Sequence, residues 1–355
     1  MKKDIALASL FLSPNYGAIL QSLALQQYIE ILGFTTHYLP YNIPTHFSPL
    51  RYLLNRGNYI LSMMLGGKRR NKRTEDFRRK YIHVAQSESS YEQYVAGSDQ
   101  IWRPQLIKDT HGFFLFANVD AKRISYGSSF GVTSLPEGCK DFYKKTLSKF
   151  SYISVREKSG ESILRNLGIS KFDRVCDPTF LLSQNDWRQY TAPRQYKKPY
   201  ILCYVMKGDI PTANYIYRVA LGYNREQGDK YDIIIIGDRE YRKLKFGYHL
   251  ICDAGPSEFL SYIYYAEAVI TSSFHGTCFS LIFNKPFRNV LDRMNQFNTR
   301  IINLLEEFGI SDKVLYTDQQ ISNTEISMCI PNNSKTIIQE LQQHGRNYLR
   351  KSLSH

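Results

Sequence analysis

Short apolar runs alternate with amphipathic segments along most of the chain. The run Ile5–Leu12 comes first, apolar residues then recur at helical spacing over Ala18–Leu32, and a second run covers Phe34–Leu39. Short apolar runs predict buried strands, whereas apolar residues that recur every three or four positions predict a helix. The start of the chain therefore predicts a strand, a helix and a second strand.

The same alternation continues beyond this first unit. Further strands are predicted at Tyr94–Ala96, Arg123–Tyr126, Tyr152–Val155, Pro199–Val205, Tyr231–Ile236 and Ala268–Thr271. Further helices are predicted at Glu161–Leu167, Thr212–Tyr223, Ser257–Tyr265 and Ser334–Leu349. Strands that alternate with helices favour parallel sheets covered by helices on both faces.

The polar stretch Leu182–Lys198 separates two such series and is interpreted as an interdomain link. The predicted fold class is α/β, with two doubly wound, Rossmann-like domains over residues 1–183 and 184–330. A terminal helix within 331–355 is expected to pack back across the domains. Ligands of such sheets bind outside the carboxyl ends of the strands, so the active site is predicted in the cleft between the domains.

Charge and composition indicate which partners and which cellular compartment to expect. The 355 residues carry a net charge of 46 − 32 = +14, so an anionic partner is expected, and the 27 tyrosines suit contacts with sugars as well as a core. The six cysteines are scattered, which indicates a reducing compartment and argues against a zinc site. The start of the chain fits a buried strand better than a signal peptide, and no apolar run reaches the ~18 residues of a membrane span. A cytoplasmic protein is predicted.

A basic segment interrupts the pattern at Gly66–Lys80, after an apolar stretch with interspersed arginines at 51–65. A solvated pair of surface helices explains such a charge run. Alternatively, residues 51–80 lie on a membrane surface with their basic side chains on anionic lipid. Nucleic acid is not expected as a partner, because no nucleic-acid-binding motif accompanies the charge.

The segment VITSSFHGTCFSLIFNKPF (269–287) predicts a buried strand that ends at two serines and a helix that begins near His275. The start of a helix leaves backbone N–H groups unpaired and favours an anion. Ser272 and Ser273 add hydroxyl donors, and Gly276 allows a ligand to approach the backbone. An imidazole beside an anion would bind it or donate a proton. A buried histidine that caps the turn explains the same pattern.

Other polar loops also follow predicted strands. Asn15 follows the first strand, and Asp99 follows another as either an acid–base group or a helix cap. Arg156 and Lys207 stand at two more strand ends, where each fits an anion clamp or a paired surface cluster. Together these loops favour a site for a phosphorylated ligand without defining the reaction.

Several motifs occur in order along most of the chain. They are NYGAILQSLALQQYI (15–29), AGSDQIW (96–102), SYGSSFG (125–131), ISVREKSG (153–160), VCDPTFLL (175–182) and GPSEFLSYIYYAEAVITSSFHGTCFSLIFNKPF (255–287). In this series the chain resembles the bacterial polysaccharide pyruvyl transferase family. The resemblance implies a GT-B-like fold and transfer of pyruvate from phosphoenolpyruvate onto two hydroxyls of a hexose, which forms a cyclic ketal. The expected acceptor is a galactose-type sugar in an exopolysaccharide or a lipid-linked repeat unit.

The resemblance also implies roles for individual residues. His275 matches the family histidine and is expected to bind the donor and transfer a proton. Many members carry an arginine two positions before that histidine, where this chain has Ser273. Arg156 is the favoured replacement for that arginine. The other basic residues considered for this role are Lys207, Arg293 and Arg300.

Asp99 and Asn15 are expected to hold the acceptor sugar, with Asp99 also as a catalytic candidate. Phosphoenolpyruvate is the co-substrate, and neither a metal nor another cofactor is expected. A polyprenyl-diphosphate-linked acceptor would strengthen the interpretation of 51–80 as a membrane contact, at the inner face of the plasma membrane. Two alternatives stay open: a nucleotide-sugar glycosyltransferase of the same architecture, and a non-catalytic scaffold that binds glycans or anions.

Overall fold

The computed structural model describes residues 4–41, 67–86, 91–205, 209–237, 241, 247–294, 298–321, 328 and 330–354. These residues form two compact units. Unit 1 contains the described residues up to 41, those from 78 to 182 and those from 338 onwards, and unit 2 contains 67–77 and the described residues from 183 to 337.

The basic segment 51–80 was predicted to belong to the first domain. Its first part, 51–66, lies outside the described residues. Residues 67–77 group with unit 2, whereas 78–80 group with unit 1. Residues 338–354 also group with unit 1, so the amino-terminal unit includes the end of the chain.

The described strands and helices follow the predicted alternation. The strands are β1 (Asp4–Ala8), β2 (Thr35–Tyr38), β3 (Gln93–Ala96), β4 (Lys122–Ser125), β5 (Ser154–Val155), β6 (Asp173–Arg174), β7 (Tyr200–Tyr204), β8 (Asp232–Ile236), β9 (His249–Ile251), β10 (Ala268–Thr271), β11 (Phe287–Leu291) and β12 (Leu315–Tyr316). The α-helices are α1 (Tyr16–Ile31), α2 (Lys68–Tyr81), α3 (Pro104–Asp109), α4 (Lys140–Leu147), α5 (Lys158–Asn166), α6 (Gln184–Arg188), α7 (Ile210–Glu226), α8 (Pro256–Tyr264), α9 (Phe274–Ile282), α10 (Thr299–Glu307) and α11 (Ser334–Leu353).

Unit 1 is built on a parallel sheet with the strand order β2-β1-β3-β4. The short parallel pair β5-β6 adjoins β4 through a bridge between Ile124 and Tyr152. The core beside this sheet includes Trp102, whose indole N–H donates to the carbonyl of Phe114 at 3.1 Å. Strand β2 lies on one side of β1, and the next strand along the chain, β3, lies on its other side. The strand order therefore reverses between β1 and β3, and the carboxyl ends of these two strands form a topological switch point.

Unit 2 is built on a six-stranded parallel sheet with the order β12-β11-β10-β7-β8-β9. From the middle of the sheet, β7, β8 and β9 follow one another towards one edge, and β10, β11 and β12 follow one another towards the opposite edge. Dinucleotide-binding folds have the same kind of strand order. The β-branched run of β8 is almost fully buried, as expected for a strand covered on both faces. The switch point of this sheet lies between β7 and β10.

The boundary between the units, at 182/183, falls within the predicted interdomain link Leu182–Lys198, but the rest of this stretch belongs to unit 2. Ser183 caps α6 in a capping box with Asp186. Trp187 is fully buried, with its ring centroid 4.9 Å from that of Phe279. Some of the polar residues that suggested a link form the short helix α6, and the tryptophan of this helix is buried in unit 2.

Helix α11 packs on unit 1 through its second half. Leu349 and Leu353 are fully buried, and the Tyr348 hydroxyl donates to the carbonyl of Ser125 at 2.8 Å. Arg346 donates to the carbonyl of Leu181. A Cβ on Gly345 would lie 2.3 Å from the hydroxyl oxygen of Tyr126, so only glycine allows the helix to come this close.

Candidate functional site

The segment 272–276 begins at the switch point of unit 2. Thr271, the last residue of β10, donates its hydroxyl to the carbonyl of Tyr204 at the end of β7, at 2.7 Å. The backbone N–H of Ser272 donates to the same carbonyl at 3.3 Å. In open α/β sheets the ligand crevice lies outside the carboxyl ends of the strands at such a point. The strand order therefore gives this segment the position that ligand-binding loops occupy.

Helix α9 begins directly at this point. Ser273 is its N-cap residue, and the Ser273 hydroxyl oxygen accepts a hydrogen bond from the N–H of Gly276 at 3.3 Å. The N–H of Ser273 itself donates to the hydroxyl of Thr271. Ser272 Oγ is buried and has no hydrogen-bond partner among the residues that the structure describes. The N–H groups of Ser272, Ser273 and Gly276 are thus used within the protein, and the oxygen of Ser273 caps the helix, while the hydroxyl of Ser272 has no partner in the described part of the chain.

Gly276 is required by the protein's own packing. A Cβ at this position would lie 2.6 Å from Thr271 Oγ1 and 3.2 Å from a ring carbon of Tyr204. The absence of a side chain therefore brings α9 close to β10 and β7, which explains this glycine without close approach of a ligand.

His275 lies in the first turn of α9 and is 6% exposed. Its ring meets that of Phe274 edge-on, with the centroids 5.2 Å apart. Phe274 is itself buried, and the guanidinium carbon of Arg300 lies 5.7 Å from the centroid of its ring. The structure therefore adds Arg300, from the first turn of α10, to the residues around the start of α9.

Asn15 and Asp99 both lie at the switch point of unit 1. Asn15 caps α1, and its Oδ1 accepts from the N–H of Gly17 at 2.9 Å. Asp99 follows β3 and adopts a left-handed backbone conformation with φ 71°, which is uncommon outside glycine. Its side chain is 15% exposed. The two residues predicted to hold the acceptor thus occupy the carboxyl ends of adjacent strands.

Arg156 occupies a buried cluster of carboxylates, which is not the environment predicted for it. Its Nη1 lies 2.6 Å from Asp177 Oδ2, its Nε lies 3.4 Å from Glu157 Oε2, and its Nη2 lies 3.9 Å from Asp99 Oδ1. The side chains of Arg156, Glu157 and Asp177 are at most 4% exposed. Burial alone would lower the pKa of Arg156, but the three carboxylates raise it above its ordinary value. The guanidinium neutralises carboxylates within unit 1, so this arrangement does not support its prediction as the donor clamp.

Serine hydroxyls complete this cluster and join its strands. Ser129 donates to the carboxylate of Glu157, and Ser98 donates to the carbonyl of Gly127 at 2.8 Å. Arg156 Nη1 also donates to the hydroxyl oxygen of Ser98. The motifs at 96–102, 125–131, 153–160 and 175–182 therefore meet in one hydrogen-bonded cluster. The sequence marked each motif, but their shared role follows from the fold.

The other predicted cations have different outcomes. Lys207 lies outside the described residues. Arg293 is bound to Asp318 at 3.0 Å and lies over the ring of Tyr316, on an exposed part of unit 2. Within the described ranges, no group of three or more His, Cys, Asp and Glu side chains is arranged to hold a metal ion. No helix in the same ranges has the length and apolar content of a membrane span.

Solved structures resemble the chain in fold. UDP-GlcNAc 2-epimerase from Methanocaldococcus jannaschii matches with a TM-score of 0.53 and 13% identity over 99% of both chains. A Listeria monocytogenes protein named after the same epimerase matches with a TM-score of 0.51 and 9% identity, over 99% of this chain and 98% of the other. At such identities the likeness shows the fold alone, which is the two-domain α/β fold of GT-B type that the sequence predicted.

A search of curated proteins gives no match. In contrast, the family model described as Polysaccharide pyruvyl transferase matches residues 15–292, which is most of the chain. This range includes the switch-point residues of both units and the buried Arg156 cluster. The chain therefore belongs to the polysaccharide pyruvyl transferase family.

Proposed function

We propose that the protein transfers pyruvate from phosphoenolpyruvate onto two hydroxyls of a hexose, which gives a cyclic ketal and inorganic phosphate. The observation that carries this proposal is the position of the family segment 272–276 at the switch point of unit 2, where the dipole of α9 favours an anion. The proposed acceptor is a galactose-type residue of a polysaccharide or of a lipid-linked repeat unit.

The reaction assigns different tasks to the two units. One proton is added to the methylene carbon of phosphoenolpyruvate, one sugar hydroxyl attacks C2, and a second hydroxyl then replaces phosphate at C2. Each of the two sugar hydroxyls loses one proton. One of these protons accounts for the proton added to the methylene carbon, and the other leaves with phosphate. We place the donor at the start of α9, with His275 as the proton-transferring group. Asn15 and Asp99 of unit 1 are proposed to bind the acceptor hydroxyls, with Asp99 as the base.

Incubation of the protein with phosphoenolpyruvate and a galactoside tests this proposal directly. We expect equimolar release of phosphate and a new ketal methyl signal in the proton NMR spectrum of the saccharide. Omission of the galactoside is the control, and it should leave phosphoenolpyruvate intact. Turnover that occurs only with a nucleotide sugar would instead support a glycosyltransferase. Absence of turnover with every donor and acceptor would support a non-catalytic scaffold.

Helix α2 is proposed to bring the enzyme to an anionic membrane surface, where a lipid-linked acceptor would lie. Its exposed side chains include five basic residues, Lys68, Arg69, Lys72, Arg79 and Lys80. Two other arginines of the helix bind the protein itself. Arg73 contacts Asp253 and Glu258 in unit 2, and Arg78 donates to the carbonyl of Phe11 in unit 1.

Replacing Lys68, Arg69, Lys72 and Arg79 with glutamine is expected to weaken binding to anionic vesicles by about 1000-fold, because each basic residue near such a surface contributes about 1 kcal/mol. Sedimentation with phosphatidylserine vesicles at low and physiological salt measures the effect. The matched control changes four exposed lysines of unit 1, namely Lys144, Lys145, Lys149 and Lys171, to glutamine. Equal losses in both variants would show that only net charge matters. Salt-insensitive binding, or none, would remove the proposed membrane contact.

A further inference from the structure

The proposed donor carries roughly three negative charges, from its carboxylate and its phosphate. Backbone N–H groups and the helix dipole supply only partial positive charge at the start of α9. The resemblance described above implies an arginine at position 273, where this chain has Ser273 as the N-cap residue. If the donor binds as proposed above, another side chain must supply a full positive charge close to this turn.

Two other arginines of unit 2 interact with carboxylates of that unit. Arg293 is bound to Asp318, at 3.0 Å. A hydrogen bond from Lys313 and, to a smaller extent, the charge of Arg288 on β11 lower the pKa of Asp312. Their positions assign both residues to the packing and surface of unit 2.

Arg300 differs because it contacts the first turn of α9 itself. Its guanidinium lies over the ring of Phe274, which stands between the N-cap Ser273 and His275 in the sequence. An arginine on an aromatic face keeps its N–H groups in the plane of the guanidinium, where they donate to the two oxygens of a carboxylate or phosphate. The contact with Phe274 thus places the positive charge of Arg300 at the first turn of α9.

We infer that Arg300 binds an oxyanion of phosphoenolpyruvate and replaces the arginine that other members carry at position 273. The inference rests on the proposed function, since it names the residue that binds the donor in that same site. Phe274 then has a role beyond packing, because it positions the guanidinium. In this chain the arginine proposed to bind the donor is therefore Arg300 of α10, and not a residue of the segment 272–276.

The test compares Arg300→Gln, Arg300→Lys and wild type in the phosphate-release assay. We expect Arg300→Gln to raise KM for phosphoenolpyruvate at least 10-fold and to change KM for the galactoside less than twofold. Arg300→Lys should lie between the two, since it keeps the charge but loses the two-oxygen geometry. Arg293→Gln is the matched control from unit 2, and it should leave both constants unchanged.

A second variant tests the replacement itself. Ser273→Arg in the Arg300→Gln background should recover at least part of the lost affinity for phosphoenolpyruvate, because it returns an arginine to the start of α9. Calorimetric titration with phosphoenolpyruvate alone reports binding without turnover. Wild-type binding that Arg300→Gln leaves intact would overturn the inference and spare the proposed function. A wild-type protein that neither binds nor consumes phosphoenolpyruvate would overturn both.

Discussion

Replacing His275 with asparagine is expected to lower kcat for ketal formation by about 10²- to 10⁴-fold, the range lost when a general acid or base is removed. Ketal formation cannot begin until a proton reaches the methylene carbon of the donor, and asparagine retains a polar side chain but cannot transfer a proton at neutral pH. KM for phosphoenolpyruvate should change much less than kcat, because Arg300 and the first turn of α9 remain. Initial rates of phosphate release across a range of donor concentrations separate the two constants.

The near-complete burial of His275 makes a structural control necessary. The substituted asparagine would occupy a site that is 6% exposed in the wild type, so thermal unfolding must show that the variant is folded. His249→Asn provides a matched histidine change in unit 2, at an exposed position beside Tyr196. That variant should keep full activity. A folded His275→Asn enzyme with an unchanged kcat would show that the assignment of proton transfer to His275 is wrong.

Replacing Arg156 with methionine is expected to lower the free energy of unfolding by about 3–5 kcal/mol. Methionine fills similar volume, but the variant leaves the carboxylates of Asp177 and Glu157 buried without their counter-charge. Asp177 is fully buried in its side chain and also accepts from the N–H and hydroxyl of Thr179. Chemical denaturation at neutral pH measures the loss.

The pH dependence distinguishes lost charge from lost packing. In Arg156→Met, folding buries uncompensated carboxylates that take up protons more readily than in the unfolded chain, so stability relative to wild type should recover as pH falls. The double variant Arg156→Met, Asp177→Asn should be less destabilised than the single variant, because it removes the negative charge of Asp177 together with the positive charge of Arg156. Arg103→Met, at an exposed position of unit 1, should cost little. A pH-independent loss that the second change does not reduce would contradict the electrostatic account.

Several strongly patterned elements were predictable from the sequence, whereas the short strands β9 and β12 and also β11, α4 and α10 were not predicted. The strand Ala268–Thr271 has the predicted bounds, and the helix predicted at Ser257–Tyr265 lies at Pro256–Tyr264. Runs of buried apolar residues with clear turn signals explain this success. In contrast, β9 has three residues and β12 has two, too few for any periodicity to show. Strand order is also absent from such patterns, so the switch points became visible only in the assembled sheets.

The candidate site shows the same limit at the level of side chains. The position of Arg156 after a strand predicted either an anion clamp or a paired surface cluster. Its partner Asp177 is 21 residues away in the chain, and local pattern gives no sign that the two meet. For the same reason, the sequence could name Arg300 only as one basic residue among several. The fold brings it to Phe274, and that contact separates it from the others.

The attachment of helix α11 to unit 1 has a consequence for the order in which the protein is made. The ribosome completes residues 183–337, which contain nearly all of unit 2, before it reaches the helical turns that bury Leu349 and Leu353 against the first unit. Most of unit 1 is therefore synthesised well before the helical turns that complete its core. Deletion of residues 338–354 would therefore damage unit 1, although nearly all of that unit consists of residues before 183.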